Sequence, residues 1–537
     1  MMGSVRWVPS VVLTAILFGS GMPVPIRAQS STEELLRERI PLFEVGLGPH
    51  SRPIQTSSPL AQAFFDQGMQ LVYSFSPIDA ARSFREAQIL DPACAMCFFG
   101  EAWALGPYLN GPMRPDAAPL AFSAIHEADR LSRSMTGADR DLILAMVTRY
   151  APEHDPVQRP RLDTLYAVAM DQLHERYPHD GEVATLFAEA LMVLEPRRGT
   201  WDIQRPSVQR IVRVLGAALE RDVQHPGACH LYIHATESTT QPELAEACAD
   251  HLGKSIPGAS HMNHMPSHTF NRVGRWGDAT RANIEAWHSD LKAEIGEGFA
   301  IYPSHNLHML LYSASYDGQG AVAIQAAKDY TKIVPDGEFY RGLTKTRFGR
   351  FDEVLRLEHP PVDPLFRGLW DFSRGYAHLR SGSPDSAGYY LARVDHAAEH
   401  TPDELLFRGH TAASLLGITG GILRAEILRE EGRLDQAVKV LRSALALEGA
   451  LRYDEPEPLP FSVRHWLGPI LIGSGDPVGA EEVFRRDLEL RPRNGWSLLG
   501  LAQALEAQGR GEEAEVARSA YLEAWVRSDT WIRQSRF

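Results

Sequence analysis

Four histidines set the strictest condition on how this chain folds. His230 and His234 lie four residues apart, His264 and His268 lie four apart, and the second pair follows the first by 34 residues. On a helix, a spacing of four puts both imidazoles on one face, one turn apart. An interval of 34 residues is that of a two-helix hairpin repeated along a chain. The sequence therefore predicts that the same helix face, in two stacked hairpins, carries the same pair of imidazoles.

Similar units recur elsewhere. Phe64, Gly68 and Leu71 suit one helix, and Ala80, Phe84, Ala87 and Pro92 suit its partner. Small residues let paired helices approach, a bulky residue fills the seam, and Pro stops the second helix. Near the end of the chain Gly468 and Leu471 precede Ala480, Phe484 and Pro492, and Ala502, Gly509 and Ala514 lead into a closing helix through Trp525. Ala425, Gly432, Ala437, Leu441 and Ala444 give another unit, and Gly274, Ala279, Asn283 and Ala286 complete the hairpin of His264 and His268. Alternating strand patterns are hard to find. The pattern resembles the tetratricopeptide repeat. The resemblance is strong at both ends and around 226–290, and loose over 120–225 and 321–400, where Tyr166, Met170, Leu173 and Pro178 still fit. It implies an all-α tetratricopeptide-type helical-hairpin solenoid, a right-handed superhelix.

The expected organisation runs from a signal peptide at 1–28 through an irregular lead-in at 29–58 to helical repeats at 59–225. His-rich repeats follow at 226–320, degenerate repeats at 321–460, and a C-terminal repeat region with its closing helix at 461–537. Arg6, the apolar run Val8–Phe18 and the small residue in Ile26-Arg27-Ala28 have the form of a secretory signal, which puts the mature chain in the periplasm or outside the cell. The apolar run is too short to span a bilayer comfortably, and no other stretch looks transmembrane. A net charge of −14 argues against a nucleic-acid partner. An oxidising compartment permits disulfides. Cys94 and Cys97 then read as a local bridge or as buried thiols, with a redox dithiol the weaker reading because no thioredoxin-like βαβ pattern surrounds them. Cys229 and Cys248 fall on the two helices of one hairpin, close enough in sequence for a second bridge.

The stretches CAMCFFGEAWALGPYLN, HLYIHATE, HMPSHTFNRVGRW, SHNLHML and NGWSLLGLAQALEAQG resemble those of a bacterial, largely exported tetratricopeptide family to which no activity is attached. Threaded on the repeat, His230, His234 and Glu237 share the groove face of one first helix. His261, His264, His268 and Asn271 share that of the next, and His305 and His308 that of a third. Imidazole binds Zn, Cu, Fe or Ni at neutral pH, and helical i,i+4 pairs supply two ligands at once. Glu237 and Asn271 suit a carboxylate ligand and a hydrogen-bonding support. Met262 and Met265 point to copper if they are ligands and to core packing otherwise.

Glu101 occupies a normally apolar position beside Trp103 and needs a buried partner, so it belongs either to the site or to a helix end. Trp103, Arg272 and Arg275 are candidate ligand contacts. Tyr453-Asp454-Glu455 with His465-Trp466 form a second polar-aromatic spot, read as structural. Two functions follow. One is an exported solenoid with a transition metal (copper, iron or zinc) in its concave groove, holding a small-molecule ligand or catalysing oxidation or hydrolysis. The other is a metal-free scaffold that holds a peptide or envelope protein. Phosphate-loop, dinucleotide and nucleophile-elbow motifs are missing from the sequence.

Overall fold

Phe84 shows how the hairpins lock. The computed structural model describes residues 30–196 and 199–537. In it, helix Pro59–Tyr73 turns into helix Pro77–Leu90, and helix Ala95–Leu105 follows. Pro59 and Pro77 stand at helix starts, where a missing N–H is no loss. The buried Phe84 ring fills a slot between the flanking helices: a Cβ on Gly68 would meet it at 2.6 Å and one on Gly100 at 2.4 Å. The same small–large–small interlock is built again from Gly468, Phe484 and Gly500, with approaches of 2.1 and 2.2 Å. At both places one aromatic ring ties a hairpin to the first helix of the next.

The chain forms two compact units. The first takes the described residues up to Thr269 and Glu285–Pro303; the second takes Phe270–Ile284 and Ser304–Phe537. The segment expected as one His-rich block, 226–320, is therefore shared between them. In the first unit, helices Ala118–Leu131, Ala138–Val147, Arg159–Arg176, Gly181–Val193 and Pro206–Leu219 lead to Pro226–Glu237 and Ser260–His264. The lead-in before residue 59 is irregular apart from the short helix Thr32–Leu35. It is pinned by two buried glutamines: Gln67 accepts from the Phe43 amide (2.8 Å), and Gln70 accepts from the Gly48 amide (2.7 Å).

The second unit runs as hairpins. First helices Pro303–Tyr316, Glu338–Arg347, Pro364–Arg380, Ala412–Glu430, Arg464–Gly473 and Gly495–Ala507 alternate with second helices, the last of them Gly511–Ala524. One departure from the all-helical expectation is a two-stranded hairpin, Leu406–Phe407 with His410–Thr411. Its turn residues Arg408 and Gly409 both take positive φ, as a two-residue hairpin turn demands. Arg408 is held there by Asp454 and by the Glu455 carbonyl (2.6 Å).

Cys94–Cys97 and Cys229–Cys248 are both disulfide-bonded. Cys94 and Cys97 are fully buried, a core staple rather than an accessible dithiol. Among the described residues, no helix is long and apolar enough to cross a membrane. The expected signal peptide lies outside the described residues.

Candidate metal centre

Helix Pro226–Glu237 begins at His225, whose Nδ1 caps it by accepting from the Ala228 amide (3.1 Å). Pro at the first helical position fits that start. The helix is buried on every side, so its two imidazoles sit away from water. His230 donates from Nδ1 to the Tyr73 carbonyl (2.6 Å), and His234 donates from Nδ1 to Glu237 Oε1 (2.7 Å). Each bond fixes a tautomer and leaves the ring's lone pair on Nε2.

The second histidine segment lies on Ser260–His264 and, after Met265, on Pro266–Val273. His261 joins the first pair: one nitrogen from each of His230, His234 and His261 lies within 4.8 Å of the others. Among the described residues, neither His230 Nε2 nor either ring nitrogen of His261 has a hydrogen-bond partner, although all are buried. A buried polar atom left so costs free energy unless something binds it. Burial, and then the neighbouring imidazoles, push His230 and His261 well below the ordinary histidine range, so both rings are neutral. Beside this trio His264 Nε2 and His268 Nε2 approach to 2.7 Å, and His268 Nδ1 donates to Glu237 Oε2. One carboxylate thus orients an imidazole in each pair.

Two aromatic residues in the left-handed backbone region press on the cluster. Phe75 (φ 60°) packs its ring centroid 4.2 Å from His230 and 5.4 Å from His261. Tyr302 (φ 56°) meets His261 edge-on at 5.1 Å. Bulky side chains hold that conformation only where the surroundings impose it, and such strain collects at functional sites. Tyr73, Phe75, Trp103, Glu189 and His230 line a narrow crevice beside the cluster. Trp103 donates to Glu189 there (3.1 Å), and burial raises the Glu189 pKa against the pull of Arg149.

A neighbouring group, His50, Glu182 and His225, also brings its ligand atoms within 4.8 Å. Its geometry differs. Glu182 accepts from His50 Nε2 (2.7 Å) and from the Tyr73 hydroxyl, and His225 Nε2 stands 3.4 Å away. Burial would raise the Glu182 pKa, but His225 and His50 outweigh it and hold it far below the carboxylate range. With Nδ1 of His225 occupied by the helix cap, the proton sits on Nε2 and faces the carboxylate. This is a hydrogen-bonded strut built around one buried carboxylate.

Glu101 is buried between Arg85 (2.7 Å) and Gln88 (2.7 Å), which satisfies its carboxylate. Asn271 and Arg272 lie in the second unit. There Asn271 accepts from Ser313 (2.9 Å), and Arg272 lies over the Tyr453 ring at 5.7 Å. Arg275 pairs with Asp278 (2.7 Å). His305 and His308 are on helix Pro303–Tyr316 of the second unit, where His308 Nε2 meets the Tyr340 hydroxyl at 2.5 Å. Met262 and Met265 are fully buried. Sequence reasoning missed Tyr73, Phe75, Glu182 and His225. The dipeptide His225-Pro226 before an apolar run was the one local signal, that of a helix start.

Residues 471–524 match a family model described as tetratricopeptide repeat. No curated protein is matched by the chain. Among solved structures, the chain is similar to the APC/C hetero-tetramer Cut9-Hcn1, at 12% identity over 87% of this chain and 74% of that one, TM-score 0.29. It is also similar to the human IFIT1 dimer with m7Gppp-AAAA, at 9% identity over 88% and 91%, TM-score 0.30. A third is the P58(IPK) TPR domain, at 10% identity over 86% and 92%, TM-score 0.22. The chain thus carries a tetratricopeptide repeat at 471–524, and helical hairpins built on the same interlock stand at both ends of the described residues.

Proposed function

We propose that this repeat scaffold holds a transition-metal ion on His230, His234 and His261, and that it works outside the cytoplasm. The observation that carries the metal reading is the convergence of three buried imidazoles whose nitrogens lie within 4.8 Å, with no hydrogen-bond partner for His230 Nε2 or for His261. The donor chemistry fits: imidazoles, each of the first two steered by an Nδ1 hydrogen bond to a carbonyl or a carboxylate, are the usual ligands of Zn, Cu or Fe. Three nitrogens leave room for water or a substrate atom, the pattern of a catalytic rather than a closed structural site. A metal there would polarise a bound carbonyl or lower the pKa of bound water, or serve an oxidation. Export is supported by the sequence pattern around Val8–Phe18 and by the two disulfides.

Elemental analysis of the mature chain, purified without a histidine tag or chelator, tests the reading. About one equivalent or more of copper, iron or zinc is expected, and His230→Ala and His261→Ala should each lose it with helical circular dichroism intact. Full metal content in either variant, or none in the parent after reconstitution with each ion, would overturn the assignment.

A further inference from the structure

Residues 527–537 follow the last helix of the second unit without forming an element of their own. They run instead across the first helices of earlier hairpins. Arg527 pairs with Asp317 (2.7 Å), just past helix Pro303–Tyr316. Asp529 accepts from the amides of Gly320 (2.7 Å) and Ala321 (2.8 Å). Ile532 buries itself against Phe348 and Trp496. The Arg533 carbonyl accepts from Gln503 (2.7 Å), Ser535 donates to the His465 carbonyl (2.7 Å), and the Phe537 carbonyl accepts from Tyr376 (2.7 Å). Arg536 reaches the fully buried Glu426 at 3.1 Å, a carboxylate that also pairs with Arg429 (3.1 Å).

The polar partners of residues 533–537 belong to helices Pro364–Arg380, Ala412–Glu430, Arg464–Gly473 and Gly495–Ala507, all first helices. Those helices also pack on one another directly, Pro364–Arg380 on Ala412–Glu430 and Arg464–Gly473 on Gly495–Ala507. The helical framework therefore closes through its own contacts. What holds 527–537 is of a different kind: hydrogen bonds to carbonyls and hydroxyls along an irregular chain, an acidic slot for an arginine at each end, and an apolar slot for Ile532. In the middle, Trp531 stands 83% exposed. This is how a folded domain recognises a peptide.

We propose that residues 527–537 are a resident ligand of the second unit. A partner gains that surface by displacing them, and the chemistry it accepts is a segment with an arginine for Glu426 followed by an aromatic residue in the place of Phe537, whose ring lies 6.1 Å from that of Trp496. This assignment is independent of the metal site.

The test uses the full chain and a labelled peptide of residues 526–537. The parent, already self-occupied, should bind the peptide weakly. Arg536→Glu sets like charges together at Glu426; it should release the segment, so that trypsin cuts after Arg527 and Arg533 faster than in the parent, and bind the peptide at least tenfold more tightly. Glu426→Gln should also expose the segment to trypsin but, lacking the acidic slot, bind the peptide no better than the parent. Equal binding by all three proteins would overturn the proposal, as would continued protection of the segment in Arg536→Glu. Global unfolding of Arg536→Glu would also overturn it, since the segment would then be a strap the fold requires.

Discussion

Glu237 divides its two oxygens between His234 and His268, and so between two imidazole pairs that the sequence places 34 residues apart. Replacing it by Gln keeps the shape but turns one acceptor into a donor, so one of the two rings loses its orienting bond. Supporting groups of this kind are worth about ten- to a hundredfold in metal affinity. Glu237→Gln should therefore weaken metal binding by that factor, measured by competition with a chromophoric chelator, with helical content unchanged; unaltered affinity would show that the carboxylate does not position the ligands. At this scale the sequence was partly readable. The i,i+4 spacing placed His230 with His234 and His264 with His268, and the three-residue step from His261 to His264 placed all three on neighbouring turns. The Tyr73 carbonyl and the Phe75 ring were not readable, because they come from a turn some 155 residues upstream and one of them acts through backbone. Side-chain type says nothing about a carbonyl.

At the scale of helices, the signature of small residue, large residue and proline carried most of the information. Gly68, Phe84, Gly468 and Phe484 were legible because close helix packing admits few residue types, and each falls where the interlock needs it. The hairpin at 406–411 was illegible: two-residue strands show no alternation, and its turn relies on Arg408 being held by Asp454 from a distant loop. The interlock makes its own prediction. Phe84→Ala would empty a slot walled by two helices and should cost about 3–5 kcal/mol, with Phe484→Ala similar. Urea unfolding followed by circular dichroism measures both; a loss under about 1 kcal/mol would mean that the helices close over the gap.

For the molecule as a whole, buried neutral histidines govern the response to acid. His465 is the clearest: burial, and then Arg347, push it down to about 4 from 6.5, even though it faces Asp487 at 3.1 Å. Its folded pKa lies below its unfolded one, so as pH falls below 6.5 the unfolded chain takes up a proton first and stability drains away until about pH 4. The gap corresponds to about 3 kcal/mol. The depressed carboxyls of Asp487 and Glu182 act in the same direction, while His225, raised by Glu182 against the effect of burial, acts in the other. The metal-free protein should melt at a lower temperature at pH 5 than at pH 7.5, and His465→Gln should narrow the difference. Equal narrowing by a surface substitution such as His396→Gln would contradict the assignment. The division into two compact units was not legible, since no linker composition marks it and the boundaries fall inside helical segments. The shared phenylalanine carries a last consequence, for anyone wishing to lengthen or shorten this chain. Because the Phe84 ring is walled by Gly68 on one hairpin and Gly100 on the next, the turn between these two is not a clean place to cut. A chain divided at Pro92 leaves one side of that ring facing water. Grafts and deletions at either end should therefore keep Phe84 with Gly68 and Gly100, and Phe484 with Gly468 and Gly500.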